Sequence, residues 1–95
     1  MNIDFETSQI ERHPDVQFRE MGDETYLVHP DGEQLYNLNP MAGALWRLIE
    51  QPMTQAEMAE IVHAAFPVMA QTKVAEDVKA MMGELLSLGF ARVRP

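Results

Sequence analysis

Between Leu35 and Ile49 the chain reads Leu-Tyr-Asn-Leu-Asn-Pro-Met-Ala-Gly-Ala-Leu-Trp-Arg-Leu-Ile, and this stretch leaves little freedom for what surrounds it. Leu35 to Leu38 has the residue types of a short strand on a pleated surface. Asn39 has the short polar side chain of a helix cap. Pro40 follows at the first helical position, where a missing N–H costs nothing. Leu45, Leu48 and Ile49 recur at helical spacing, and Trp46 broadens the apolar stripe. Strand and helix therefore meet at a joint with almost no loop. The strand belongs to a sheet upstream and the helix to a helical core downstream, so the use made of the strand's free edge becomes the central question.

Upstream, the pattern is that of a small antiparallel sheet. Val16 and Phe18 alternate with Gln17 and Arg19 within Asp15 to Met21, the period of a strand. Gly22-Asp23-Glu24 supplies turn residues, and Thr25 to His29 is apolar enough for a central strand. Pro30-Asp31-Gly32-Glu33 is a second turn, since proline presets φ and glycine accepts positive φ. Gln34 to Leu38 then completes a three-stranded meander with its first and third strands at the edges. Ahead of it, residues 1–14 read as a flexible N-terminal arm. Ile3 and Phe5 alternate there with polar neighbours, so a short added strand is the other reading.

Downstream, the period changes to that of helices. The first helix, about Pro40 to Glu50, ends before Gln51-Pro52 because the residue preceding a proline avoids the α region. Thr54-Gln55-Ala56-Glu57 matches a capping box. Met58, Ile61, Val62, Ala65 and Phe66 continue from it as one apolar stripe up to Pro67. Thr72 is placed to cap a third helix with Val74, Val78, Met81, Leu85 and Leu88 on one face, and Gly89 to close it. Phe90 to Val93 alternates as a last short strand. A three-stranded antiparallel sheet followed by three helices makes one α+β domain over residues 15–95, with a winged helix-turn-helix-like order.

Composition narrows the chemistry. The 95 residues contain no cysteine, which excludes disulfides and thiolate metal sites and leads us to expect a reducing, cytoplasmic setting. The acidic start, Met-Asn-Ile-Asp-Phe-Glu, lacks the basic-then-apolar order of a signal peptide. No apolar run approaches the ~20 residues that span a bilayer. A net charge of −8 repels phosphate backbones and anionic membranes alike, so neither nucleic acid nor membrane is an expected partner. The three histidines share no ligand-like spacing, so no metal site is expected. Of the serines, Ser8 and Ser87, neither sits in a GxSxG elbow, and the five glycines form no phosphate loop. The expectation is a protein that is not an enzyme and holds no cofactor.

Two features remain for binding. The eight methionines gather mainly in the helical half, where unbranched, polarizable side chains serve either as core filler or as an adaptable peptide groove. Met82 and Leu86 lie off the main stripe of the third helix at about 100° per residue, which favours the groove. The edge strand Gln34 to Leu38 carries neither proline nor charge, two of the devices that protect an edge. An extended peptide can pair with such an edge by strand addition; alternatively the N-terminal arm or a second copy of the chain covers it. A winged-helix transcriptional regulator is a further reading, opposed by the acidic balance of the last two helices, and a dimerisation or adaptor module is another.

The order of these elements resembles the PqqD family, named for the small protein of pyrroloquinoline quinone biosynthesis. The matching features are Leu38-Asn39 leading into the helix that holds Trp46 and the helix start from Thr54 to Ile61. Asp77-Val78 in the last helix and Leu-Leu-Ser-Leu-Gly-Phe from Leu85 to Phe90 complete the set. The resemblance covers about Asp15 to Val93 and implies a winged-helix-like domain that recognises precursor peptides of ribosomally made, post-translationally modified products. It implies that a leader peptide is added beside Gln34, Leu35, Tyr36, Asn37 and Leu38, in a groove to which the third helix offers some of Val78, Met81, Met82 and Leu85. It also implies delivery of that peptide to a modifying enzyme, often a radical SAM enzyme. Two turns depart from the pattern of dedicated quinone-cofactor members. Pro30-Asp31-Gly32-Glu33 is not of the Pro-Glu type, and Glu50-Gln51-Pro52-Met53 lacks Asp-Gly.

Overall fold

The structure, a computed structural model, describes residues 8–30 and 35–94. The Ile3–Phe5 alternation, the turn through Asp31, Gly32 and Glu33, and Gln34 lie outside the described residues. The order of elements is β1 (Gln9–Arg12), β2 (Gln17–Met21), β3 (Glu24–Val28), β4 (Leu35–Leu38), α1 (Pro40–Leu48), β5 (Met53–Thr54), α2 (Gln55–Ala65), α3 (Gln71–Ser87) and β6 (Ala91–Val93). The expected meander is present as an antiparallel sheet in the order β2-β3-β4, with β3 at its centre. Glycine at Gly22 takes a φ of 63° between β2 and β3, the pattern that type II′ hairpins use. Thr25 and Leu27 of β3 point inward and pair with Leu38 and Tyr36 of β4. Leu35 and Asn37 therefore face outward, as the period of two requires.

A second sheet, in the order β5-β1-β6, goes beyond the expectation of three strands. Residues 9–12 are accordingly not part of a flexible arm. Ile10 is fully buried and pairs with both Met53 and Val93. Arg12 fastens this strand to the first helix. Its Nε and Nη2 donate to the Trp46 carbonyl at 3.0 and 2.7 Å, an acceptor in the last turn of α1. The guanidinium also lies over the rings of Phe18 and Trp46, 4.9 and 4.6 Å from their centroids. Burial lowers the Arg12 pKa from its ordinary value, while Glu50 and Glu20 act in the opposite direction.

The helices begin and end largely for the expected reasons. Asn39 Oδ1 accepts from the Ala42 N–H at 2.8 Å with Pro40 at the first position, and α1 stops at Leu48, slightly short of the expected Glu50. At α2 the Thr54 hydroxyl accepts from the Glu57 N–H at 3.1 Å, and the Glu57 carboxylate accepts from the Thr54 N–H at 3.0 Å. Thr72 is not the cap of α3, which begins at Gln71 after Ala70 and has no side-chain cap. Its C-terminus is a Schellman closure: Gly89, at φ 81°, donates to Leu86 O, and Phe90 donates to Leu85 O. A Cβ at Gly89 would also come within 3.2 Å of His29 Nε2.

Ile10, Leu27, Leu45, Trp46, Met58 and Met82 are fully buried at the centre of one core shared by both sheets and all three helices. Two expected stripes shift on packing. Of the α2 stripe, Met58 and Val62 are buried, whereas Ile61, Ala65 and Phe66 are exposed. On α3 the buried set is Val74, Val78, Met82 and Leu85; Met81 lies at the margin and Leu88 is exposed. Met82 is therefore a core residue rather than a groove residue.

Met82→Ala removes a side chain closed in on every side and should cost about 2–5 kcal/mol in urea unfolding; the marginal Met81→Ala should cost far less. Thr54→Ala should cost about 1 kcal/mol by the same measurement. The Thr54 N–H holds the Glu57 carboxylate below its usual pKa. Its contribution is therefore present above the ordinary carboxylate value and is lost as pH falls through the lowered one, which an acid unfolding series reads.

Candidate functional site

Sheet pairing leaves β4 with one neighbour, β3, and among the described residues no strand pairs with its outer edge. The same is true of β2, but that edge carries Arg19 and Glu20, charges of the kind that discourage added strands. Glu20 is further engaged by Arg47 at 3.2 Å. β4, Leu35–Leu38, has no charge and no proline. Its Leu35 is two-thirds exposed, an apolar side chain left at the rim.

A cleft of about 130 Å³ opens where β4 and the start of α1 face α3. Leu38, Ala42 and Leu85 form its apolar floor, Met81 flanks it, and Asn37, Asn39 and Glu84 supply polar groups. The joint seen in the sequence positions one wall. Asn39 caps α1 through Oδ1 and directs Nδ2 at Met81 Sδ, 4.0 Å away. Tyr36 positions the other wall. Its ring rests on Phe90, with centroids 5.4 Å apart, and Phe90 in turn meets His29 edge-on at 5.6 Å. From that platform the Tyr36 hydroxyl donates across the cleft to Glu84 Oε1. That bond, with some desolvation, raises the phenol pKa above its ordinary value.

The structure brings some of the expected site residues together and sets others apart. Tyr36, Asn37, Leu38, Met81 and Leu85 do line one cleft, and Leu35 stands exposed beside it. Gln34 lies outside the described residues. Val78 and Met82 are buried in the core and do not line the cleft, because the inner face of α3 is rotated toward Met82. Sequence reasoning missed Asn39, Ala42 and Glu84 as lining residues. Asn39 reads in the sequence as a helix cap and Ala42 carries no binding signal, whereas Glu84 lies one turn beyond Met81 on α3, a spacing that puts both on one side.

Comparison with known proteins gives the family and the fold. The family described as coenzyme PQQ synthesis protein D (PqqD) matches residues 24–91, more than two thirds of the sequence. The chain belongs to the PqqD family. The matched span runs from β3 to the first residue of β6, so it takes in both walls of the cleft. Among solved structures, TbiB1 in complex with the TbiA(beta) leader peptide is similar in fold, with a TM-score of 0.78 at 16% identity. That likeness covers 90% of this chain and 98% of that one. A search of curated proteins finds no match. Like the family resemblance, the fold is α+β, and winged helix describes it only loosely, since the PqqD layout here includes the second small sheet.

The Tyr36–Glu84 bond sets a pH dependence. With the phenol pKa raised, the contact is intact below the ordinary tyrosine value of about 10 and is lost as pH rises through the higher one. An alkaline absorbance titration of the protein, less that of Tyr36→Phe, should show the phenol ionising late. Glu84→Gln should return it toward the ordinary value.

Proposed function

We propose that this PqqD-family chain recognises the leader of a ribosomally made precursor peptide, taking it as an added strand along β4 and holding it against α3. The observation that carries the reading is the uncharged edge of β4 lying directly beside a cleft with an apolar floor. Backbone N–H and C=O groups of an edge supply affinity to any extended chain, and side-chain pockets next to it supply selectivity. Membership of the family supports the reading, and so does a fold shared with a protein solved with a leader peptide bound.

The role assigned is escort rather than catalysis. Once bound, the peptide is presented to a modifying enzyme, for which a radical SAM enzyme is the candidate that the family suggests. Among the described residues, no group of three or more His, Asp or Glu is placed to hold a metal ion, and no helix is long and apolar enough to cross a membrane. DNA reading by α3 is not favoured: Lys73 is tied to Asp77 at 3.0 Å, and Glu76 and Glu84 are exposed along the same helix. A homodimer joined through two β4 edges would compete with the peptide for the same groups.

The test is an NMR titration of labelled protein with the synthetic leader of the precursor peptide encoded beside its gene. Amide shifts should concentrate at Leu35–Leu38, with side-chain shifts at Met81 and Leu85. A spectrum unchanged at those positions would refute strand addition. Met81→Ala should weaken binding about tenfold, the equivalent of 1.4 kcal/mol, without the loss of stability expected of Met82→Ala. Sedimentation at several concentrations shows whether the free edge dimerises.

A further inference from the structure

Among the described residues that line the β4–α3 cleft, Glu84 alone carries a charge. It lies beside Leu85 and one turn beyond Met81, and faces Leu38 and Ala42 across the opening. The Tyr36 hydroxyl occupies one of its roughly four acceptor positions. No ion pair among the described residues includes Glu84. The chain's own Lys and Arg side chains lie elsewhere: Arg19 is on β2, separated from β4 by β3. Lys73 pairs with Asp77, Arg47 with Glu20, and Arg92 and Arg94 with Glu11. Arg12 is held by the Trp46 carbonyl, and Lys79 lines the groove between α2 and α3 on the other side of the helix.

An extended segment laid along β4 strips water from this carboxylate. A desolvated carboxylate with one hydroxyl donor is costly unless the incoming chain brings a positive charge. Resting on the strand-addition reading, we infer that Glu84 is a specificity determinant that selects leaders with a Lys or Arg at one fixed position and rejects acidic residues there. The position follows from periodicity. Alternate residues of a strand share a face and lie about 6.6 Å apart, so the basic residue comes two places from the apolar residue seated over Leu38, Met81 and Leu85. The rule is a discrimination rather than a general attraction, because the same cleft that favours the cation opposes the anion. The net charge of −8 adds a long-range pull on basic peptides of any sequence, and salt screens it.

The probe is a displayed library of random ten-residue peptides, selected at physiological salt on the full chain and in parallel on Glu84→Gln. Glu84 is exposed and glutamine has nearly its shape, so the variant keeps its fold. Selection on the native chain should enrich Lys or Arg two places from an apolar residue. In binding titrations of one selected peptide, alanine at the basic place should cost about tenfold, the size of a charge-assisted hydrogen bond. On Glu84→Gln that difference should shrink to within about twofold. Tyr36→Phe, which leaves the carboxylate in place, should keep the basic preference. Peptides that shift the Leu35–Leu38 amides but show the same consensus on both chains would overturn this inference and leave strand addition standing. A library that yields no peptide shifting those amides would overturn both.

Discussion

Asn39, between the last residue of β4 and the first of α1, is the constraint on which the site depends. Its side chain closes the first turn of α1, and Pro40 fixes the backbone immediately after it. With no spare residue in the connection, the direction of the strand sets that of the helix. The inner face of α1, Ala42, Gly43, Leu45 and Trp46, then packs on the sheet. Gly43 shows how close this approach is: a Cβ there would stand 3.4 Å from the Thr25 hydroxyl. The floor of the cleft is the edge of this joint rather than a separate construction.

The second wall is held by longer-range contacts. Phe90, just past the Schellman turn of α3, is buried and supports the ring of Tyr36. The strand that follows, β6, pairs with β1, and β1 is tied through Arg12 to the end of α1. Residues at the two ends of the chain thus keep β4 and α3 at a fixed separation. The sequence near Gln9 is polar, and a strand there pairs only with residues distant in the chain. That is why it reads as an arm until Ile10 is seen buried.

Adjacent methionines on α3 illustrate how one helix serves two purposes. Met81 and Met82 differ by about 100° around the axis. Periodicity puts Met81 on the apolar stripe with Val78 and Leu85 and leaves Met82 off it. Packing of α2 against α3 turns the helix so that Met82 fills the core and Met81 is left at the cleft. The exposed Ile61 of α2 and Phe66 just beyond its end have the same origin: an apolar residue is buried only if another element reaches its side of the helix.

Local chemistry determined a great deal by itself. Turn residues and alternating polarity placed β2, β3 and β4, and caps whose partners lie within three residues placed the starts of α1 and α2. The uncharged edge strand was legible because edge protection is a matter of residue type. Tertiary structure alone decided which methionine faces the cleft, that Gln9–Arg12 joins a second sheet, and that Glu84 meets Tyr36 across a separation of 48 residues. Those outcomes depend on the rotation and distance between elements far apart in the chain, and sequence spacing carries no measure of either.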